Sequence, residues 1–204
     1  MSALELAIDG ARPVSAVTVE EVQGLCDRAE DHEGPGLVVL RLSGAGAEAA
    51  GTDVGLVSKW ERALRRMERL GRPTAAVVSG DVGGPALEAL LATDVRIATP
   101  DARVLFPAWP GMSLYRLAQQ TGTAGIRRAV LFGTPIDAEQ AAALRLFDEV
   151  TTDPETMLAT LVESARPEPA IARQLMFDAA WTSFEDALGA HLAACDRVLR
   201  RGMS

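Results

Sequence analysis

Leu4, Leu6 and Ile8 alternate with Glu5, Ala7 and Asp9, the period-two pattern of a strand with one buried face, and Gly10 with Pro13 ends it. The strand is short and expected at a sheet edge. Thr18 and Glu21 are spaced as a capping box, after which Val22, Leu25, Cys26 and Ala29 recur at helical spacing as far as Gly34-Pro35-Gly36. This predicts a helix with Cys26 on its buried face. Leu37 to Leu42 is an apolar run too short and too rich in valine for a helix, so it predicts a buried strand. Beyond a Gly/Ala loop, Val54, Val57, Trp60, Leu64 and Met67 form the apolar stripe of a long amphipathic helix, which Gly71 and Pro73 terminate.

Thr74 to Val78 reads as the next buried strand, and after a glycine turn Pro85 opens a helix that runs through Ala92. Two short strands, Val95–Ala98 and Val104–Phe106, flank Thr99-Pro100-Asp101. The rest reads as helix: 114–120, 123–132, an Asp137/Gln140 capping box leading to Leu146, then 154–165, 169–180 and 184–200. No linker or repeat separates the halves, so the expectation is one structural domain, with a core over 1–150 and a helical segment over 151–204. On the last helix Phe184, Ala187, Leu188, Leu192, Cys195 and Leu199 make an apolar stripe behind the caps Thr182 and Ser183. Such a stripe needs cover, either between subunits or over the chain's own site.

Composition narrows the function. A chain of 204 residues buries roughly 70% of the surface its unfolded form exposes. Its 48% apolar and 24% charged residues are those of an ordinary globular domain. Twenty Lys+Arg against 28 Asp+Glu leave a net charge of −8, which repels a phosphate backbone and argues against a nucleic-acid partner. Cys26 and Cys195 are far apart with no C-x-x-C companions, so neither a metal site nor a disulfide is expected, and the compartment reads as reducing cytoplasm. Acidic residues stand where a secretory signal would be basic, and no run approaches about 18 apolar residues, so no membrane segment is expected.

Several local patterns are weaker than they look. Gly44-Ala-Gly46-Ala-Glu-Ala49 loosely fits a dinucleotide fingerprint, but Ala50-Gly-Thr-Asp53 separates it from the following helix and no strand-terminal acid follows at about twenty residues; the alternative is a surface loop. Lys59, Arg62, Arg66 and Arg69 lie along one stripe that could receive a phosphorylated arm. Interspersed Glu61 and Glu68, with Glu61 four residues before Arg65, favour a solvated face. His32 and His191 have no partners at ligand spacing.

The informative stretch runs from Pro73 to Pro107: a Thr-Ala-Ala-Val-Val strand, the turn Ser-Gly-Asp-Val-Gly-Gly-Pro, the helix Ala-Leu-Glu-Ala-Leu-Leu, then Thr-Asp-Val-Arg-Ile-Ala and Asp-Ala-Arg-Val-Leu-Phe-Pro. It resembles the signature of the crotonase (enoyl-CoA hydratase/isomerase) superfamily. Ala50-Gly-Thr-Asp53 upstream, and Phe132-Gly-Thr-Pro-Ile-Asp-Ala-Glu-Gln-Ala with Leu146-Phe-Asp-Glu-Val150 downstream, extend the resemblance over about residues 4–150. Within the superfamily the chain is most similar to the small crotonase-like members that work beside a type III polyketide synthase in 3,5-dihydroxyphenylglycine biosynthesis. The resemblance implies an α/β fold, a spiral of ββα units with a helical C-terminal segment, and a homo-oligomer of trimer or hexamer type. It also implies an acyl-CoA substrate, with CoA entering as part of the substrate and no separate cofactor.

Crotonases stabilise a thioester enolate with two backbone N–H donors. By resemblance the first maps to Thr52. An ungapped alignment puts the second at Pro85, which has no N–H, so Gly84 must present the donor if the hole is complete. Glu88 matches the family's first acid/base glutamate, against the alternative of a solvated glutamate on a short helix. The second glutamate, expected after Pro107, is Ala108, so one carboxylate serves both proton transfers, or a water or Asp81 in the turn assists. Asp81 and Glu88 as paired acids in one turn would raise one pKa. Asp94 reads as structural. Two functions follow: dehydration or enolisation of a polyketide-derived acyl-CoA, or a degenerate, non-catalytic crotonase that binds and activates the synthase or a partner crotonase.

Overall fold

Five strands run parallel in the order β1 (Leu4–Asp9), β2 (Val38–Gly44), β3 (Thr74–Val82), β4 (Val95–Ala98) and β7 (Glu149–Val150). The computed structural model describes residues 4–34, 36–46, 53–106, 111–164 and 169–201. Parallel neighbours need crossovers, supplied by α1 (Ala16–Asp31), α2 (Val54–Met67) and α3 (Gly84–Leu91). The first part of β3 pairs with β4, whereas Asp81 and Val82 pair with β5 (Arg103–Val104), which also runs antiparallel to β6 (Ile136–Asp137). β3 therefore belongs to two turns of a spiral, and α3 starts at its far end.

The alternation of side chains along the central strands divides the core. Val38, Leu40, Leu42, Ala76 and Val78 face α1, α2 and α3, where they meet Leu25, Cys26, Trp60, Leu64 and Leu90. Leu37, Val39, Ala75, Val77 and Ile97 face the other way and are covered by Leu158 of α7 (Pro154–Ser164). Burial on both faces explains why these strands read as continuous apolar runs rather than as alternating ones.

Three expectations need correction. The cap of α1 is Ser15, whose Oγ accepts the Thr18 N–H at 3.1 Å, so Thr18 lies inside the first turn. Both residues can cap, but Ser15 holds the extended backbone a cap requires (φ −130°, ψ 166°). β3 continues past Val78 to the buried Val82, moving the turn to Gly83-Gly84. The second half is not wholly helical: β6 and β7 are two-residue strands, too short for any periodicity to show. Its helices are α4 (Ser113–Thr121), α5 (Thr123–Phe132), α6 (Ala138–Ala143, capped by Asp137 as expected), α7, α8 (Pro169–Ala179) and α9 (Phe184–Arg201). No helix among the described residues is long and apolar enough to cross a membrane.

α8 and α9 pack on each other. They are tethered to the body through Arg173, which pairs with Asp94 at 2.5 Å and donates to the carbonyls of Glu68, Leu70 and Arg72. Phe184, Leu188, Leu192 and Leu199 remain exposed along α9, so the stripe does not cover the chain's own core.

Two polar residues fix the far end of α3. Asp94 accepts the backbone N–H of Thr74 at 2.8 Å and its hydroxyl at 3.0 Å, the structural role its sequence position suggests. Buried Arg96 donates to the carbonyls of Leu90, Leu91 and Thr93 at 3.0, 3.3 and 3.4 Å, placing a cation where a helix leaves its last carbonyls unpaired. Arg96→Met is therefore expected to lower stability by about 2–4 kcal/mol, since it strands buried carbonyls. Urea denaturation checks this through a lower midpoint at unchanged slope.

Candidate active site

α3 is enclosed: every residue from Pro85 to Leu91 is buried, so an acid on this helix has no solvent-facing side. Glu88 is only 3% exposed. Its Oε2 accepts the indole N–H of Trp60, from α2, at 2.6 Å. Oε1 has no hydrogen-bond partner among the described residues, and Gly111 packs so closely on it that a side chain at 111 would overlap the carboxylate. Burial pushes the Glu88 carboxyl up to about 8; the Trp60 hydrogen bond opposes this, the negative charge of Glu61 adds to it, and Arg116 draws it back.

Arg116 of α4 ties the surrounding charges together. It bonds Glu61 of α2 at 2.8 Å and Glu68, the residue that caps the end of α2, at 2.9 Å, and Glu61 also accepts the Met112 N–H at 2.8 Å. The segment that covers Glu88 is thus fastened to α2 immediately after Gly111. Glu61 does not pair with Arg65 as helical spacing suggests. Arg65 instead pairs with Glu68 at 2.8 Å and lies 5.2 Å from the Phe177 ring centre. Behind this network a cavity of about 1000 Å³ opens between α2, α4 and α8, with Glu61, Met112, Tyr115, Arg116, Phe177 and Trp181 in its walls.

At the other end of α3, Gly83 donates its N–H to Gly44 at 3.0 Å. Gly84 follows at φ +50°, a conformation that favours glycine. As the first helical residue it has no intrahelical acceptor for its N–H, and Pro85 beside it has none to offer. Ala45 lies against Gly83, so the loop toward Thr52 leaves from beside the start of α3. Thr52 and Ala108 themselves lie outside the described residues. Asp53 is described and caps α2, accepting the Leu56 N–H at 2.8 Å.

Comparison with known proteins settles the family. No family model matches the chain. A protein described as enoyl-CoA-hydratase from Amycolatopsis orientalis is 57% identical over 209 residues, covering 97% of this chain and 96% of the relative. The chain belongs to the crotonase, or enoyl-CoA hydratase, superfamily. The crystal structure of an enoyl-CoA hydratase from Thermoplasma volcanium superposes with a TM-score of 0.82 at 17% identity, covering 96% of this chain and 88% of that one. That of an enoyl-CoA hydratase/isomerase from Marinobacter aquaeolei gives 0.80 at 18%, covering 98% and 89%.

In this crotonase, Glu88 and Gly84 share one short buried helix, but Asp81 does not join them. Its carboxylate forms a two-point ion pair with Arg103, at 2.7 and 2.9 Å, on the partly exposed edge where β3 meets β5. The pairing of Asp81 with Glu88 is therefore corrected: the acid acting on Glu88 is Glu61. Strand alternation explains this, because Val82 turns inward and Asp81 outward. No motif in the sequence marks Trp60, Gly111, Glu61 or Arg116 for this site. Trp60 reads as one more apolar stripe position, and only its indole N–H hints at a buried polar partner.

The raised pKa has a measurable consequence. Unfolded, Glu88 ionises near 4.5, whereas folded it holds its proton to about 8; the folded state binds the extra proton in between, so stability falls as pH rises through that window. Glu88→Gln has no such proton to lose. Its stability relative to the wild type is expected to rise by about 3–5 kcal/mol between pH 4.5 and 8 and then level off. Urea denaturation across that range checks it, and parallel pH dependences of the two proteins would rule it out.

Proposed function

We propose that this crotonase is an enzyme of hydratase/isomerase type that uses Glu88 as a single proton shuttle on an acyl-CoA thioester. The observation that carries this reading is a buried carboxylate with one oxygen held by Trp60, the other without a partner among the described residues, and a pKa pushed up to about 8. A carboxyl poised near working pH can both take and return a proton. In dehydration, Glu88 takes the proton from the carbon next to the thioester carbonyl, and the C–H electron pair forms the enolate. The enolate then collapses, the bond from the β-carbon to hydroxyl breaks, and the same proton leaves Glu88 with the hydroxide as water. The Gly84 N–H, together with the backbone donor at Thr52, holds the enolate oxygen. The cavity beside Met112 and Tyr115 has the size of a small-molecule site, and Glu61 and Arg116, not Glu88 or Gly84, line it.

The finer reading is a polyketide-derived acyl-CoA, processed beside a type III polyketide synthase on the way to 3,5-dihydroxyphenylacetyl-CoA, with CoA as part of the substrate and no further cofactor. The exposed apolar face of α9, with Phe184 and Leu192 more than half exposed, supports a homo-oligomer. Sedimentation at micromolar concentration is expected to give a species larger than the 21.6 kDa chain, and a monodisperse monomer would overturn that part.

A second reading has its own support: Pro85 lacks an N–H, and Gly111 is packed against Oε1 of Glu88, as suits a non-catalytic crotonase that activates the synthase by contact. Substitution separates the two. For the enzyme, dehydration rate is expected to rise with pH through about 8 as Glu88 ionises, and Glu88→Gln lowers turnover by about 10²–10⁴-fold. For the activator, synthase stimulation survives Glu88→Gln intact while the fold is retained by circular dichroism.

A further inference from the structure

The structure assigns Trp60 as a positioning residue for the reaction: its indole N–H claims Oε2 of Glu88 and so dictates that the proton is exchanged at Oε1. This rests on the acid/base reading of Glu88 proposed above.

An indole N–H only donates. Whether Glu88 is neutral or ionised, the oxygen 2.6 Å from Trp60 Nε1 is therefore an acceptor, and the acid hydrogen of the neutral form sits on the other oxygen. Oε1 is the oxygen with no partner among the described residues and faces Gly111, the start of the segment fastened through Met112 to Glu61. The two oxygens are thus made unequal by one contact across the interface of α2 and α3.

Packing alone does not require that contact. Trp60 is 1% exposed in the main core cluster, and a phenyl ring would fill much of the same space without a polar group. Nor do the neighbouring charges replace it. From α2 and α4, Glu61 and Arg116 face Glu88 and act through their fields, but Arg116 spends its hydrogen bonds on Glu61 and Glu68. Trp60 brings a donor that never titrates, so the site keeps one proton-exchanging group. A donor to a charged acceptor also strengthens as the carboxylate forms, which is the moment at which its orientation matters.

The test removes the N–H and keeps the ring. Trp60→Phe is one variant. The second carries 3-benzothienylalanine at position 60, isosteric with tryptophan but with sulfur in place of N–H, which keeps the test valid if the phenylalanine variant does not fold. Glu88 is followed by carbon NMR of protein labelled at the glutamate carboxyl carbon, its signal assigned by its loss in Glu88→Gln, and kcat and KM are measured across pH. Loss of the N–H is expected to raise the Glu88 titration by about one to two pH units above the wild type and to lower kcat at neutral pH by about 10- to 100-fold. KM is expected to move less than about threefold, as for a transition-state effect. A Glu88 titration unmoved in the folded benzothienyl variant would overturn the assignment. A shifted titration with no turnover by any of the proteins would support Trp60's hold on the carboxylate and overturn the acid/base reading instead.

Discussion

Glu88 is held inside an apolar helix that has no exposed face, and much of the surrounding architecture follows from making that tolerable. An unpaired carboxylate in such a place would simply stay protonated. Here burial raises its pKa only to about 8 because Trp60 and Arg116 partly compensate. The compensation demands that α2 and α4 be placed accurately against α3. α2 is set by Leu64 and Met67 in the main core, and α4 by the Arg116 bridges to Glu61 and Glu68. α3 is set by Arg96 on its last carbonyls and by Gly83 against Gly44 at its start.

Adjacent residues on α2 divide the work. Trp60 and Glu61 are about 100° apart around the helix, so one enters the core toward Glu88 and the other looks into the cavity. Glu61 then joins three things: it raises the affinity of Glu88 for its proton, pairs with Arg116, and holds the Met112 N–H. A bound anion or a displaced Arg116 would alter the proton affinity of Glu88 through this one carboxylate, because in a poorly solvated region the field between them is weakly screened.

The fold was legible where residues act locally. Alternation in Leu4–Asp9, the valine run at 37–42 and the stripe Trp60-Leu64-Met67 each reflect a single buried face, and the strand-turn-helix of 73–92 carries the superfamily's signature. Ser15 and Thr18 were harder to rank, since both can cap and only the backbone decides. Pairs such as β5 with β6 are invisible because two residues show no period. The geometry of the candidate site was half legible. Glu88 and Gly84 share one motif, whereas Trp60 and Gly111 reach Glu88 only through the packing of separate elements, and Trp60 resembles any other apolar stripe residue. Asp81 was misread because nearness in sequence across a strand end does not put two side chains on one side.

On the proposed reading, the same short helix that buries the acid would also present the Gly84 N–H as donor, and this limits what the chemistry can be. Gly84 and Glu88 are four residues apart, about 6 Å along the axis, and helical side chains lean back toward the N-terminus. The carboxylate therefore lies within about one turn of the first N–H of α3. That separation suits a carbonyl oxygen and the hydrogen on the adjacent carbon, two points of one thioester, rather than two distant reacting groups. Because Gly84 and Glu88 are parts of one rigid element, the distance between them is fixed by helix geometry. The positive end of the helix dipole also favours charge gathering on the oxygen as the proton leaves carbon. On the proposed reading one carboxylate on this helix supplies what enolisation needs, and departure of the β-hydroxyl would draw on the proton that Glu88 has just taken.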